Sequence, residues 1–218
     1  MRFLLLLVLA VLMLIGARAS AIVVGQLDDF QNGTLYGWTG GATPSNVASG
    51  GPAGSGDRYL EIDAANGKLG TYNRTQWTGN YSSAGVGALR FALNNAGPDP
   101  VAVRISVIGP TAATAFTTAN ETVLPAQIGW VLVDFALDEA SLTRTSGTAT
   151  IAQTLASVTK LLLRHDPDPI SPPGESNLVS ATLGIDNVTA LPEPGSALLL
   201  ASGLTALASL RRACRRGW

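Results

Sequence analysis

The chain has 218 residues, with 14 lysines and arginines, 15 aspartates and glutamates and a formal net charge of −1. Residues 22–190 are more acidic, with eight basic and fourteen acidic side chains and a net charge of minus six. Nucleic-acid binding is not expected, because phosphate contacts need concentrated positive charge and no Lys/Arg cluster occurs in this region. The single cysteine, Cys214, and the single histidine, His165, exclude a disulfide framework and a Cys/His zinc site.

Residues 1–21 have the pattern of a secretory signal peptide. Arg2 precedes an unbroken apolar run from Phe3 to Ile15, and small residues two apart follow at Ala17, Ala19 and Ala21. We therefore expect an N-terminal signal helix that is removed on export. The mature chain begins near Ile22.

Residues 22–190 predict one all-β domain. Short apolar segments alternate with Gly, Pro and Asn turns, and in Val101 to Ile108 the four odd-numbered residues share one apolar face. The predicted strands are Ile22 to Leu27, Tyr59 to Ile62, Leu69 to Asn73, Ala88 to Leu93, Val101 to Ile108, Trp130 to Leu137, Val158 to His165 and Thr182 to Ala190. Ile151 to Ser157 predicts one or two helical turns, and Thr39 to Asp57 a long loop. This pattern favours a single antiparallel jelly-roll β-sandwich.

The last segment, residues 191–218, combines Leu191-Pro-Glu-Pro-Gly195, an apolar run over 196–210 and a basic tail over 211–218. The run predicts a short C-terminal transmembrane helix, although its fifteen residues fall below the span of about 20 that a stable membrane helix needs. The arginines oppose translocation of the end of the chain. A plain membrane anchor is the alternative interpretation.

This tail resembles the PEP-CTERM sorting signal of exported bacterial proteins. The resemblance implies recognition by a membrane-embedded exosortase after the secretion machinery, transient anchoring in the membrane, and cleavage near 192–195 at the cell surface. The residues that carry it are Pro192, Glu193, Pro194, Gly195, Arg211, Arg212, Arg215 and Arg216.

The start of the body, Leu27-Asp-Asp-Phe-Gln-Asn-Gly33 followed by Trp38, and its end, Leu183-Gly-Ile-Asp-Asn187, resemble galactose-binding-like sandwiches, including carbohydrate-binding modules. That resemblance implies neighbouring first and last strands around a structural Ca²⁺, which takes oxygen ligands. We expect its side-chain ligands at Asp28, Gln31, Asp57 and Asp186. The alternative is that these are ordinary turn, loop and strand-end residues.

Saccharide binding would need exposed aromatic rings. Trp38 and Trp130 are expected to pack in the core, whereas Trp77 and Tyr81 lie in a polar segment and are the predicted ligand-binding residues. The alternative is that both rings cover the core.

No catalytic site is expected. His165 is followed by Asp166, but no nucleophile motif accompanies it. Glycosidase chemistry needs two carboxyl groups that face each other across a sugar. Acidic residues are present at Glu61, Asp63, Asp134 and Glu139, but nothing in the sequence indicates that two of them face each other. The sequence thus predicts an exported, non-catalytic structural or adhesive protein of the cell surface or extracellular polysaccharide matrix. A saccharide-binding module is the alternative, and a glycoside hydrolase a third.

Overall fold

The computed structural model describes residues 22–110, 114–169 and 177–193. The predicted signal helix, transmembrane helix and basic tail lie outside the described residues. No helix in the described part of the chain combines the length and apolar character required to cross a membrane. The strands are β1 Leu27–Asp28, β2 Trp38–Thr39, β3 Ser45–Val47, β4 Tyr59–Lys68, β5 Gly70–Asn73, β6 Val86–Asn95, β7 Val101–Ile108, β8 Ala115–Thr118, β9 Thr122–Leu124, β10 Ile128–Ala136, β11 Leu142–Ser146, β12 Lys160–His165 and β13 Leu178–Pro192. The helices are α1 Tyr81–Ala84 and α2 Ile151–Leu155.

These strands form two antiparallel sheets. A six-stranded sheet has the order β10-β6-β13-β4-β3, with β1 paired to β13. A seven-stranded sheet has the order β11-β8-β7-β12-β5-β2, with β9 paired to β7. The inward-facing residues of both sheets form one buried apolar cluster, in which the Trp38 and Phe135 rings each pack edge-on against Phe91. The prediction of an antiparallel β-sandwich is confirmed.

The alternating pattern predicted for β7 is present. Val101, Val103, Ile105 and Val107 are fully buried in the core. Arg104 and Ser106 on the opposite face are buried as well, because loop backbone and β8 side chains cover them. The strand therefore carries a polar layer outside the apolar core.

Five strands were not predicted, namely β2, β3, β8, β9 and β11. Each has five residues or fewer, and β8 and β11 are rich in Thr and Ser, so no apolar period marks them. The predicted strand Ile22 to Leu27 is wrong over most of its length. Gly25 has φ of 82°, and Gln26 N–H closes a turn on the Val23 carbonyl at 3.1 Å.

The last strand, β13, changes partner at a bulge. It pairs with β4 as far as Ile185, and with β1 at Val188 and Thr189. Between these stretches Asn187 adopts φ of 48°, a left-handed conformation that asparagine tolerates better than most residues. Asp186, at this bulge, is fully buried and lies within electrostatic range of Asp29 and Asp57.

A buried carboxylate connects the two sheets. Asp28 of β1 is 2% exposed, and its Oδ2 accepts hydrogen bonds from Trp38 Nε1 at 2.8 Å and Trp77 Nε1 at 2.6 Å. Trp38 belongs to β2 of the seven-stranded sheet, and Trp77 lies in the loop after β5. Burial raises the pKa of Asp28 from 3.8 to about 6, although both indole donors act in the opposite direction. We call these three residues the Asp28 bridge.

We expect Asp28→Ala to lower the free energy of unfolding by about 3 kcal/mol, because two buried indole N–H groups lose their acceptor. Asp28→Asn should cost about 1 kcal/mol, since its amide oxygen can still accept. Urea unfolding at neutral pH measures both. The control is Asp134→Ala, which removes a partly exposed carboxylate paired with Arg90 and should cost less than about 1 kcal/mol.

Similar costs for Asp28→Ala and Asp134→Ala would contradict a structural role for the bridge. The sign of the pH dependence provides a second test. The folded state holds the Asp28 proton more tightly than the unfolded chain, so this group lowers stability as the pH rises from 3.8 towards 6. The stability of the wild type relative to Asp28→Asn should fall over that interval.

Candidate functional site

The predicted aromatic platform does not lie at the surface. Trp77 and Tyr81 are both 0% exposed. Trp77 donates to Asp28, and Tyr81 Oη donates to the Trp77 carbonyl at 3.1 Å. The prediction that these rings bind saccharide is wrong: the polar residues around them form turns and the cap of α1, while the rings enter the core.

Trp38 is buried in the core, as expected, but Trp130 is not. The Trp130 ring is half-buried on the outer face of the six-stranded sheet and packs edge-on against Tyr59, with ring centroids 5.2 Å apart. A Cβ placed on Gly184 would lie 2.8 Å from the Trp130 ring. Trp130 Nε1 also donates to the Gly50 carbonyl at 2.8 Å. The ring therefore covers the sheet and holds the glycine-rich loop.

Three of the four predicted metal ligands lie close together. Gln31 Nε2 donates to Asp57 Oδ1 at 2.6 Å, to the Asp29 carbonyl at 3.1 Å and to the Arg58 carbonyl at 3.2 Å. The carboxylates of Asp57 and Asp29 act electrostatically on Asp186. We call Asp29, Gln31, Asp57, the Arg58 carbonyl and Asp186 the oxygen cluster.

Asp186 is the least satisfied member of the oxygen cluster. It is fully buried, and its Oδ1 makes no hydrogen bond, while Oδ2 accepts from Asn187 Nδ2 at 3.2 Å. Burial is the main reason that the pKa of Asp186 rises to about 7, and the negative charges of Asp57 and Asp29 raise it further. A cation beside Asp186 would favour the ionised form.

The oxygen cluster differs from the predicted calcium site in two residues. Asp28 is not part of it, because its side chain accepts from two indoles in the core. Asp29 was missed, since the sequence does not show which of two adjacent aspartates faces inward. Among the described residues, no three Asp, Glu, His or Cys side chains converge on one point. A cation here would therefore depend on amide and backbone oxygens as well as carboxylates.

A groove crosses the outer face of the seven-stranded sheet. It consists of a hollow of about 320 Å³ and a second of about 420 Å³. Both hollows are lined by Ile108, Ala115 and Lys160, so they adjoin. Its further lining includes Lys68, Gly70, Ser106, Thr145, Leu162, Arg164 and His165 in the first hollow and Arg74, Pro110, Ser146 and Thr159 in the second. We call this the sheet groove.

Strand register explains the groove lining. Leu162 lies between Tyr72 of β5 and Ser106 of β7, and Arg164 lies between Gly70 and Arg104. Side chains two apart on a strand share a face, so Lys160, Leu162 and Arg164 line one surface. A Cβ on Gly70 would lie 2.9 Å from that of Arg164, so β5 and β12 approach each other here more closely than a larger residue would allow.

Buried polar contacts hold one end of the groove. Asp166 is fully buried and accepts hydrogen bonds from Arg164 and Asn177. Arg104 donates to the Asp166 carbonyl at 2.8 Å and to Glu121 at 2.6 Å. His165 Nδ1 accepts the Ala102 N–H at 3.0 Å, and burial lowers the pKa of His165. The histidine thus takes part in strand pairing, and Asp166 is engaged with arginine rather than with its ring.

Tyr72 lies next to the groove on the same face. Its ring has two cations over it: the Arg74 guanidinium carbon is 5.0 Å and the Lys160 Nζ 5.3 Å from the ring centroid. A Cβ on Gly40 would lie 2.2 Å from the ring edge, so the segment after β2 packs closely against it. Sequence reasoning missed this site. The available signal was the period-two spacing of Lys160, Leu162 and Arg164, which places all three on one face of β12. Because Leu161, Leu162 and Leu163 form a continuous apolar run, this alternation was not apparent.

Only part of the predicted sorting motif is described. Pro192 ends β13, and the Glu193 N–H donates to the Gly85 carbonyl at 3.0 Å. Pro194, Gly195, Arg211, Arg212, Arg215 and Arg216 lie outside the described residues.

Comparison with known proteins gives similarity at the level of structure. No family model matches the sequence, and no curated protein matches it. The chain is similar to an exo-β-agarase, with a TM-score of 0.52 and 15% identity over 78% of this chain. It spans 25% of the agarase chain. At this identity the match shows a shared fold and nothing of the agarase activity.

Two solved carbohydrate-binding modules are also similar. The family 11 module of a cellulosomal cellulase of Clostridium thermocellum has a TM-score of 0.49 at 14% identity, covering 79% of this chain and 97% of the module. The CBM22-2 xylan-binding domain of a Paenibacillus barcinonensis protein has a TM-score of 0.47 at 13% identity, covering 77% of this chain and 99% of that domain.

Proposed function

We propose that residues 22–190 are a saccharide-binding module and that the sheet groove is its binding site. The observation that carries this proposal is the pair of adjoining hollows, of about 320 and 420 Å³, on one open sheet face. An extended chain of sugars needs such an elongated surface. A shared sandwich fold supports many functions, so the groove rather than the structural similarity supports the proposal.

The chemistry of the groove suits sugar rings. Ile108, Ala115 and Leu162 offer apolar surface to C–H faces, and Thr145 and Thr159 offer hydroxyl groups to sugar hydroxyls. Mostly apolar walls with a few placed polar groups are typical of ligand sites. Tyr72 adds an aromatic ring beside the groove.

We propose binding without catalysis. Glycoside hydrolysis requires two facing carboxyl groups, and among the described residues neither hollow is lined by Asp or Glu. Glu61, Asp63 and Asp134 belong instead to strands of the six-stranded sheet, where they accept hydrogen bonds from Tyr59, Thr182 and Arg90.

We expect Tyr72→Ala to weaken saccharide binding by about tenfold, as the loss of roughly 1.4 kcal/mol of contact would. A glycan array with the full-length chain, followed by calorimetry on the best ligand, measures this. Tyr59→Ala is the matched control, because Tyr59 is also half-buried but lies on the opposite sheet. Binding lost in Tyr59→Ala and kept in Tyr72→Ala would place the site around Trp130 instead. If no glycan on the array binds, the remaining interpretation is a structural or adhesive protein of the cell surface.

We also propose that the oxygen cluster takes a structural Ca²⁺. The unpartnered Asp186 oxygen, the Asp57 carboxylate and the carbonyls of Asp29 and Arg58 supply hard oxygen atoms of the kind calcium binds. Gln31 now directs its amide nitrogen towards three of these oxygens. It would have to turn its amide oxygen inward to serve as a ligand.

We expect calcium to raise the melting temperature of the full-length chain by roughly 5 to 10 °C over chelator at about a hundredfold excess over Kd. Asp57→Asn should remove the increase, and Gln31→Glu should enlarge it while lowering stability in chelator, because a carboxylate replaces the amide donors. Asp134→Asn is the control outside the cluster. Identical melting curves in calcium and chelator for the wild type and Gln31→Glu would rule out the site.

We propose, further, that the protein is exported and sorted by an exosortase through residues 191–218. The sequence motif supports this. Among the described residues, strand pairing of β13 ends at Pro192, and the Glu193 N–H donates to the Gly85 carbonyl. Cleavage just beyond that point would leave both sheets intact.

Replacing Glu193 and the four terminal arginines by alanine should leave full-length precursor in the membrane fraction. Immunoblotting of membrane, surface and medium fractions measures the shift. Arg90→Ala, a charge removed from the folded body, should be processed like the wild type. If the tail variant is processed normally, residues 191–218 are a plain membrane anchor and not a sorting signal.

A further inference from the structure

Basic side chains are distributed unevenly over the two sheets. Of the eight in the body, Lys68, Arg74, Lys160 and Arg164 line the sheet groove, and Arg104 lies next to Arg164 on the same face. The body as a whole is acidic. The groove is therefore a local concentration of positive charge that folding creates from residues far apart in the sequence.

Three of the four cations that line the groove have no carboxylate partner among the described residues. Arg104 pairs with Glu121 and Arg164 with Asp166. In the described part of the chain, Lys68, Arg74 and Lys160 form no ion pair with a carboxylate, and the latter two lie over the Tyr72 ring instead.

The positions of these three cations follow the groove. Lys68 lines the first hollow, Arg74 the second, and Lys160 both. Burial and the neighbouring charges of Arg74 and Arg164 lower the pKa of Lys160. Lys160 is thus repelled by Arg74 and Arg164 in the free protein, and an anion bound beside Lys160 would relieve that repulsion.

We infer that the sheet groove selects an acidic polysaccharide, one whose sugars carry carboxylate or sulfate groups. This rests on the proposed saccharide-binding function and names the ligand class of the same site. Apolar Ile108, Ala115 and Leu162 contact the sugar rings, while Lys68, Lys160 and Arg74 bind successive anionic groups along the chain. A neutral glucan or xylan satisfies the first set of contacts but not the second.

The test compares polygalacturonate with its fully methyl-esterified form, which has the same backbone without the charge. Binding to the full-length chain is measured by calorimetry with chelator present, so that calcium bridges cannot contribute. We expect at least about tenfold tighter binding of the acidic polymer, reduced as salt screens the cations. Chondroitin sulfate against chemically desulfated chondroitin distinguishes sulfate from carboxylate as the preferred anion.

Variants locate the effect. Lys160→Gln should weaken binding of the acidic polymer about fivefold, as expected for one half-buried charge contact at the surface, and leave binding of the esterified polymer unchanged. Lys68→Gln/Arg74→Gln/Lys160→Gln should abolish the preference. Arg90→Gln removes one positive charge from the opposite sheet. It is the matched control for Lys160→Gln and should bind both polymers as the wild type does. Melting curves establish that each variant is folded.

Three results would overturn the inference. If the two polymers bind with equal affinity and Tyr72→Ala binds neither, the protein is a saccharide-binding module without selectivity for acidic polymers. A preference that survives the triple variant would place the anion elsewhere, for example on the terminal arginines. Failure to bind any polymer would remove the proposed function as well.

Discussion

The Asp28 bridge is the interaction on which the arrangement of the two sheets depends. One buried carboxylate oxygen receives two indole N–H groups, from Trp38 in β2 and from Trp77 in the loop after β5, the neighbouring strand of the same sheet. Asp28 itself belongs to the opposite sheet. A buried carboxylate is costly unless it is well hydrogen-bonded, so the two tryptophans and the aspartate require one another.

The bridge explains where the aromatic residues lie. The hydrogen bond to Asp28 holds the Trp77 indole in the core. Tyr81 is buried beside it and donates a hydrogen bond to the Trp77 carbonyl. Asn73 supports the same loop, since its Oδ1 accepts the backbone N–H groups of Thr75, Gln76 and Trp77. The polar segment that contains Trp77 and Tyr81 therefore packs both rings into the core instead of presenting them to a ligand. Ligand contacts then have to come from the sheet faces.

The two outer faces are chemically different. On the six-stranded sheet, Trp130 covers Gly184 and Arg90 pairs with Asp134, so the aromatic and charged groups are engaged with neighbours. On the seven-stranded sheet, Lys68, Arg74 and Lys160 line the groove without carboxylate partners among the described residues. The oxygen cluster at the junction of β1 and β13 has the opposite charge. An acidic body can therefore present a basic groove on one face.

The sequence by itself determined the fold class, because alternating apolar residues and frequent turn residues specify short antiparallel strands regardless of their pairing. It also indicated that the two ends of the body meet, since a motif at each end resembles paired terminal strands, and β1 does pair with β13. Burial of Trp77 and Tyr81, the choice between Asp28 and Asp29, and the groove were decided only by the tertiary structure. Each of these depends on which residues meet across strands distant in sequence. Lys68 ends β4, Arg74 follows β5 and Lys160 begins β12, and only the packing of the two sheets brings all three to one groove.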